Sequence, residues 1–343
     1  MVVIAATLAV VWVLRDDEGS GALAAADVLP ADAEVVRYLD RAGAARQLGL
    51  GSDVDEYLAA LQEAPWIATP LATTVALSED APFGELDVDW WASVEVDVGD
   101  GAPLNVYRLD DDVDLGAVAD ALADAGLEES TLGEHRRFKV GPDVPIDETG
   151  MVDGIPVQGL PDVTVLEDAH LLVVGAEPER VVDVVEGDAD ALADQDGLAA
   201  LTDRTGAPLY AVAFLGTDAL CDQQVELLGS TTTPEIAERL MESGMGDLGS
   251  PDARGLFVVA DGDGVRTEAV LWFASDDEAA DDAKARQAWL VDGIDPLTNQ
   301  RYADLLDSGD VEADGDLVVV DAGREPGLAV QVSDNGFGPL ACS

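Results

Sequence analysis

The stretch VLEDAHLLVV at residues 165–174 aligns without a gap on VEADGDLVVV at residues 311–320. Each stretch reads as a β-hairpin, because a turn at the acidic residues is followed by a return strand of consecutive apolar residues. The match predicts that one unit occurs twice in the chain, with Asp168 and Asp314 at equivalent turns.

The residues before the second stretch have a clear order of elements. Residues 255–260 and 265–274 read as two strands around a glycine turn at 261–264. Ser275 and the acids after it then predict the start of a helix that runs to about residue 291 and stops near Gly293. The order is therefore strand, turn, strand, helix and hairpin.

The same order precedes the first stretch. Alternating valines at 94–98 and the segment 104–109 read as strands around Gly99-Asp100-Gly101, and a helix with an apolar face covers about 115–122. The acids at 110–112 come directly before this helix, where carboxylates satisfy free backbone N–H groups and the helix dipole. Helix capping is a sufficient explanation for this acidic run.

These patterns predict an α+β fold in which a transmembrane helix precedes a duplicated β-β-α-β-β domain with mainly antiparallel sheets. We expect the first half to cover residues 27–206 and the second to cover 207–343. Within the halves, the repeated elements span roughly 86–187 and 207–333.

The N-terminal residues 1–14, MVVIAATLAVVWVL, carry no charged side chain. They are shorter than the roughly 20 residues that span a bilayer, so we interpret them as most of an anchor whose true start lies upstream. A cleaved signal peptide and a buried helix are the alternatives. Residues 15–26 then read as an acidic linker. The expected localisation is the cell membrane, with a single pass and most of the chain outside the cytoplasm.

The charge of the chain excludes two classes of partner. The 343 residues include 71 acidic and 17 basic side chains, for a formal net charge of −54. Such a surface repels nucleic-acid phosphates and anionic lipid headgroups, so we expect no nucleic acid and no membrane contact beyond the N-terminal helix. The acidity is explained by solubility in salty surroundings or by genome composition. Alternatively, it gathers cations or a basic partner.

Several features together resemble an uncharacterised bacterial family of single-pass envelope proteins, common in actinobacteria, with one large duplicated extracytoplasmic domain. These features are the anchor, the Leu29-Pro-Ala-Asp-Ala33 opening, the helix-capping acids that follow strands, and the return strand Gly315-Asp-Leu-Val-Val-Val320. The resemblance covers most of the chain. It implies no established activity, cofactor or functional residue.

The two cysteines are Cys221 and Cys342, and neither belongs to a C-x-x-C pair. A lone pair outside the cytoplasm is readily oxidised, so we predict a Cys221–Cys342 disulfide that pins the glycine-rich tail at 335–339. Two buried thiols, or a frayed terminal Cys342, are the alternatives.

One acidic stretch fits a calcium-binding template. Asp310, Glu312, Asp314 and Asp321 fall at positions 1, 3, 5 and 12 of such a loop, with Gly315 at position 6. However, the template needs flanking helices, and residues 317–320 read as a strand. We therefore expect a plain hairpin and predict no metal site.

Two further sequence features could contact a ligand or a partner, a basic cluster and a pair of adjacent tryptophans. His135-Arg136-Arg137-Phe138-Lys139 is the only basic cluster. Its basic side chains are expected to pair with acids on neighbouring strands, although an anionic ligand is the alternative. Adjacent Trp90 and Trp91 must point to opposite faces of a strand, so one of them is expected on a less buried face and available to a partner.

No G-x-S-x-G, H-E-x-x-H or P-loop motif occurs in the sequence. We therefore expect no catalytic residue and no cofactor. The expected function is a membrane-anchored, non-catalytic protein that binds, senses or scaffolds an unknown envelope protein or ligand. A calcium-stabilised adhesion module and a hydrolase with paired carboxylates are the alternatives.

Overall fold

The computed structural model describes residues 21–51, 53–71, 83–96, 103–142, 144, 160–216, 221, 247–295, 299–306, 308–333 and 338–342. Twelve strands lie within these ranges: β1 (Val35–Leu39), β2 (Val88–Glu95), β3 (Leu104–Leu109), β4 (Glu128–Leu132), β5 (His135–Lys139), β6 (Asp162–Leu166), β7 (Leu171–Val174), β8 (Pro208–Leu215), β9 (Ala253–Asp261), β10 (Gly264–Trp272), β11 (Asp310–Asp314) and β12 (Leu317–Gly323). The helices are α1 (Gly21–Ala26), α2 (Arg41–Leu48), α3 (Val54–Glu63), α4 (Leu115–Asp124), α5 (Glu179–Glu186), α6 (Asp196–Thr205), α7 (Asp276–Asp292), α8 (Tyr302–Leu305) and α9 (Pro326–Ser333).

All twelve strands form one antiparallel sheet. Its order is β11-β12-β10-β9-β8-β1-β2-β3-β7-β6-β5-β4. The central pair is β1 and β8, in which Val35 lies opposite Phe214 and Leu39 opposite Tyr210. Outward from this pair, β2-β3-β7-β6 on one side has the same succession of connections as β9-β10-β12-β11 on the other. Strands β4 and β5 extend only the first side.

Helices cover both faces of the sheet and make three layers. Buried side chains of α2, α3, α4, α7, α8 and α9 pack on one face, which we call the cleft face. Helices α1, α5 and α6 pack on the opposite face. Because each face buries its own apolar side chains, the long central strand β8 is buried at every position.

The acidic residues before helices act as caps. Asp40, Asp53 and Asp114 accept hydrogen bonds from the backbone N–H of Gly43, Glu56 and Ala117 at 2.6, 3.0 and 3.1 Å. Ser275 caps α7 in the same way through Glu278 N, at 3.3 Å. These contacts satisfy N–H groups that have no partner within the helix.

The predicted transmembrane helix and single-pass cell-membrane localisation are wrong for the part of the chain that the structure describes. No helix there is long and apolar enough to cross a bilayer. The longest of them, α7, has 17 residues and begins with Asp276, Asp277 and Glu278. The proposed anchor at residues 1–14 lies outside the described residues.

The predicted fold with several mainly antiparallel sheets is corrected, because the structure has one continuous antiparallel sheet. Strand β1 was not predicted, and its pairing with β8 joins the strands of 27–206 to those of 207–343. The predicted acidic linker is also corrected where it is described, because residues 21–26 form α1, with Ala25 and Ala26 buried. The predicted strand at 94–98 ends at Glu95, and the turn at 99–101 lies outside the described residues.

Candidate functional site

A cleft of about 560 Å³ lies on the cleft face above the centre of the sheet. Three aromatic side chains, four proline or aliphatic side chains, two polar side chains and one glycine surround it. The lining residues are Arg37, Pro65, Trp66, Ala68, Thr69, Pro70, Trp91, Tyr210, Gly327 and Val330. Residues 65–70 make one wall and α9 makes the other, so segments from the first and the second half of the chain meet at the cleft.

The strand register places the floor residues in rows. Leu39 on β1 lies between Trp91 on β2 and Tyr210 on β8. Two residues away along each strand, Arg37 lies between Ser93 and Val212. Because side chains alternate between faces, both rows point towards the cleft face. Because β1 pairs with both β2 and β8, it brings Trp91 and Tyr210 to the same cleft.

Arg37 carries the only charge that the described lining residues contribute, and Glu95 compensates for it. Arg37 Nη1 lies 2.6 Å from Glu95 Oε1, and each side chain keeps 25% of its surface exposed. Glu95 is on β2, opposite Val35, one row beyond Ser93. The pair therefore adds polarity to the floor without a net charge.

The wall at 65–70 is held by a buried carboxylate. Glu85 has no exposed surface, and its Oε1 accepts from Tyr57 Oη at 2.7 Å and from Thr69 N at 3.0 Å. Its Oε2 accepts from Thr69 Oγ1, and the Tyr57 hydroxyl also lies 3.0 Å from the carbonyl oxygen of Ile67. Burial raises the pKa of Glu85, although these donors oppose the shift.

The opposite wall, α9, is followed by a C-terminal tail at 338–342 that is also held by a buried ion pair. Arg286 and Asp282 have no exposed side-chain surface and form two hydrogen bonds, at 2.8 and 3.0 Å. Arg286 Nη1 also donates to the carbonyl oxygens of Pro339 and Ala341, at 2.9 and 2.8 Å. The tail is therefore fixed through its backbone.

Trp90 and Trp91 lie on opposite faces, as adjacent strand residues must. Both are 7% exposed. The expectation that one of them lies on a less buried face is therefore wrong. Trp90 packs 6.4 Å from Tyr38, centroid to centroid, while Trp91 Nε1 donates to Asn105 at 3.1 Å and lines the cleft. The helices on both faces, which strand alternation cannot reveal, cover these rings.

A second concavity, of about 400 Å³, is acidic. It is lined by Asp111, Asp112, Val113, Asp114, Leu115, Gly116, Glu167, Asp168 and His170. Two of its acids have structural partners, since Asp114 caps α4 and Asp111 accepts from Arg108 at 2.6 Å. The bond from Arg108 lowers the pKa of Asp111. This shift is opposite to the one that a general acid requires.

The calcium template falls on a hairpin. Asp310, Glu312 and Asp314 alternate along β11, Asp321 lies opposite Asp310 on β12, and Gly315 is in the two-residue turn. Within the described ranges, no group of three or more His, Cys, Asp or Glu side chains could hold a metal ion. The other predicted hairpin has a four-residue turn at 167–170, between Leu166 and Leu171.

The basic cluster forms β5, and its arginines pair with acids. Arg136 bonds to Asp120 and Glu129, both at 2.8 Å, and Arg137 makes two bonds to Asp162 at 2.9 and 2.8 Å. These pairs account for the cluster without an anionic ligand. His135 lies 3.4 Å from Glu186, and His170, predicted at a turn, is half-buried there with a backbone φ of 54°.

Cys221 and Cys342 form a disulfide, with their Cα atoms 5.6 Å apart. Both residues are buried, at 2% and 0% exposure. The buried Arg254 lies against this bond, with Nη1 3.2 Å from Cys221 Sγ and in contact with Cys342 Sγ. The sequence analysis singled out neither Arg254 nor Arg286, which binds the backbone of the tail.

Sequence reasoning identified one cleft residue, Trp91, and missed the others. Trp66, Tyr210 and Arg37 are separated by long stretches of chain and share no motif. The one available signal was the placement of Arg37 between apolar residues in Val35-Val-Arg-Tyr-Leu39, because a charge at an inward strand position requires a partner.

Comparison with known proteins gives no family assignment. No protein-family model matches the chain, and no curated protein matches it. Two solved structures are similar, crystal forms I and III of TP0453, with a TM-score of 0.41 for each and identities of 8% and 9%. The alignments cover 90% of this chain and 95% and 97% of those chains. At this TM-score the likeness establishes neither a shared fold nor a shared function.

Proposed function

We propose that the chain is a non-catalytic binding protein that holds a small organic cation in the central cleft. The observation that carries this proposal is the convergence of Trp66, Trp91 and Tyr210 on one cleft of about 560 Å³. Cavities of this size suit small molecules, and aromatic rings with a few polar groups are the usual lining of such sites.

The chemistry of the cleft favours a cation over an anion. Aromatic faces attract cations through the ring quadrupole, most strongly for tryptophan and where water is excluded. The net charge of −54 draws cations and repels anions at long range. The one arginine of the lining, Arg37, is paired with Glu95 at 2.6 Å, so it does not reverse this preference.

The surroundings of the cleft support binding rather than packing alone. Its floor is formed by paired central strands, and its wall at 65–70 is fixed by the contacts of Thr69 with Glu85. A site held by such elements loses little conformational entropy when a ligand enters. This preorganisation supports a dedicated binding function.

The proposal is tested by titrating the full chain with tetramethylammonium and following tryptophan fluorescence and heat. We expect saturable binding that is about 5- to 30-fold stronger than binding of an uncharged molecule of the same shape, as a cation–π contribution of roughly 1–2 kcal/mol predicts. Equal binding of the two molecules, or none of the cation, contradicts the proposal.

Matched tryptophan variants place the binding in the cleft. Trp91→Leu is expected to weaken cation binding at least about tenfold. Trp272→Leu is the control, because Trp272 packs on the opposite face and its Nε1 donates to Asp316 at 2.9 Å. If both variants bind the cation like the unchanged chain, the site is elsewhere.

The calcium-stabilised module receives no support from the hairpin at 310–321, which brings no group of three ligands together in the described part of the chain. The hydrolase alternative receives little support from the acidic concavity, because Asp111 and Asp114 are committed to Arg108 and to the α4 cap. We therefore expect calcium to raise the unfolding temperature no more than magnesium does at equal ionic strength.

A further inference from the structure

We infer that the Cys221–Cys342 disulfide is a redox-active site in which Arg254 stabilises a cysteine thiolate after reduction. The juxtaposition that carries this inference is a buried guanidinium in contact with both sulfur atoms. A structural disulfide has no need of a cation beside it, whereas a thiolate is stabilised by one.

Arg254 is buried, and no carboxylate of the described residues pairs with it. It is 2% exposed, and its guanidinium carbon lies 5.1 Å from the centre of the Phe214 ring, the side chain opposite it on β8. Its Nε has no hydrogen-bond partner in the structure. A buried charge in this condition destabilises the fold unless an opposite charge compensates for it.

The charges that the described residues place near Arg254 do not compensate for it. Arg286 is close enough to add a repulsion, and together with burial it lowers the pKa of Arg254 to about 9, with burial as the larger cause. Asp282 is already committed to Arg286 by two hydrogen bonds. These three buried groups therefore carry one uncompensated positive charge, which a single thiolate neutralises.

The exchange needs a dithiol as the reductant. The thiolate of the dithiol attacks one sulfur, the S–S bond between the cysteines breaks, and the leaving sulfur keeps the electron pair as a thiolate beside Arg254. The second thiol of the reductant then attacks the mixed disulfide, releases the other cysteine and closes its own disulfide. The released cysteine takes up the proton of that second thiol and becomes a thiol, while the proton lost when the first thiol ionised passes to solvent.

The fold keeps the tail in place after the S–S bond breaks. Arg286 holds the carbonyl oxygens of Pro339 and Ala341, on both sides of Leu340, independently of the sulfur atoms. Residues 338–342 contribute no strand to the sheet, so local opening of this segment exposes the Cys342 sulfur without unfolding the sheet. Reduction is therefore compatible with a folded protein.

The test is a redox titration of the full chain in mixtures of reduced and oxidised dithiothreitol, with free thiols trapped by alkylation and counted by mass. We expect Arg254→Met to require at least a roughly tenfold higher ratio of dithiol to disulfide for half-reduction than the unchanged chain. Arg324→Met is the control, because Arg324 is a surface arginine paired with Asp261. Equal ratios for the unchanged chain and Arg254→Met overturn the inference.

A second measurement does not depend on a variant that folds. The ultraviolet absorbance of the thiolate, followed against pH in the reduced, unchanged protein, is expected to show a cysteine pKa below the ordinary value of about 8.5. Arg254→Lys, which keeps the positive charge, is expected to retain most of this shift. An ordinary or raised pKa for both cysteines overturns the inference.

Discussion

Two buried arginines on the cleft face differ in how their charge is compensated. Arg286 is bound by both oxygens of Asp282 and by two backbone carbonyl oxygens. Within the described part of the chain, Arg254 contacts an aromatic ring and two sulfur atoms, and no carboxylate. Buried charges that serve stability are usually fully paired. The difference therefore indicates a structural role for Arg286 and a chemical role for Arg254.

The largest expected effect comes from removing the sulfur atoms from the Arg254 region. The disulfide joins residues 121 positions apart, so replacing both cysteines by serine should lower the free energy of unfolding by about 4–5 kcal/mol through chain entropy. Urea unfolding measures this loss. Reduction of the unchanged chain should cost less, because its thiolate still pairs with Arg254; an equal or larger cost would remove the distinction between the two arginines.

The next effect comes from unpairing Arg286. Asp282→Ala leaves a buried guanidinium without its carboxylate, and we expect a loss of about 3–5 kcal/mol in urea unfolding. Asp281→Ala is the control on the same helix, because Asp281 pairs with Lys284 at an exposed site and should contribute less than about 1 kcal/mol. Similar losses for the two variants would show that Arg286 is no better paired than a surface residue.

The buried carboxylate Glu85 extends the comparison to a negative charge. Because burial raises its pKa in the folded protein, its contribution to stability is fully present below its unfolded pKa and is lost as pH rises through the folded pKa. Each unit of pKa difference corresponds to about 1.4 kcal/mol. As pH rises through the folded pKa of Glu85, the free energy of unfolding of the unchanged chain should therefore fall relative to that of Glu85→Gln. A difference between the two chains that does not change with pH would contradict this expectation.

The smallest expected effect on stability is that of Arg254→Met in the oxidised protein. Removing an uncompensated buried charge relieves its desolvation, while methionine keeps much of the apolar volume, so we expect a change between zero and a gain of about 2 kcal/mol. Thermal and urea unfolding of the oxidised chain measure it. A loss as large as that of Asp282→Ala would mean that Arg254 is a structural clamp like Arg286.

The local elements were largely predictable, whereas the predicted membrane anchor was wrong for the described residues and the single sheet was not predicted. The periodicity of residues 255–291 gave β9, β10 and α7 within a few residues, because glycine turns and the Ser275 cap are local signals. The apolar run at 1–14 suggested an anchor, but no described helix can span a membrane. The central strand β1 was missed because it is buried on both faces, so its five residues show no alternation of apolar and polar side chains.

The cleft was less predictable than the fold. Trp91 was recognised as a notable residue, but its environment depends on the pairing of β1 with both β2 and β8. The same holds for Glu85, which contacts Tyr57 and Thr69 from distant positions in the chain. Such contacts leave no pattern in the sequence, because each partner is ordinary in its own segment.

The sequence by itself determined the acidity of the surface, the capped helices, the hairpins and the pair of cysteines available for a disulfide. These features depend on composition or on residues a few positions apart. Only the tertiary structure decided that the hairpins belong to one sheet, that Trp66, Trp91 and Tyr210 share a cleft, and that Arg254 lies against both sulfur atoms of the disulfide. The physical reason is that strand pairing and burial join residues whose separation along the chain carries no information about their distance in space.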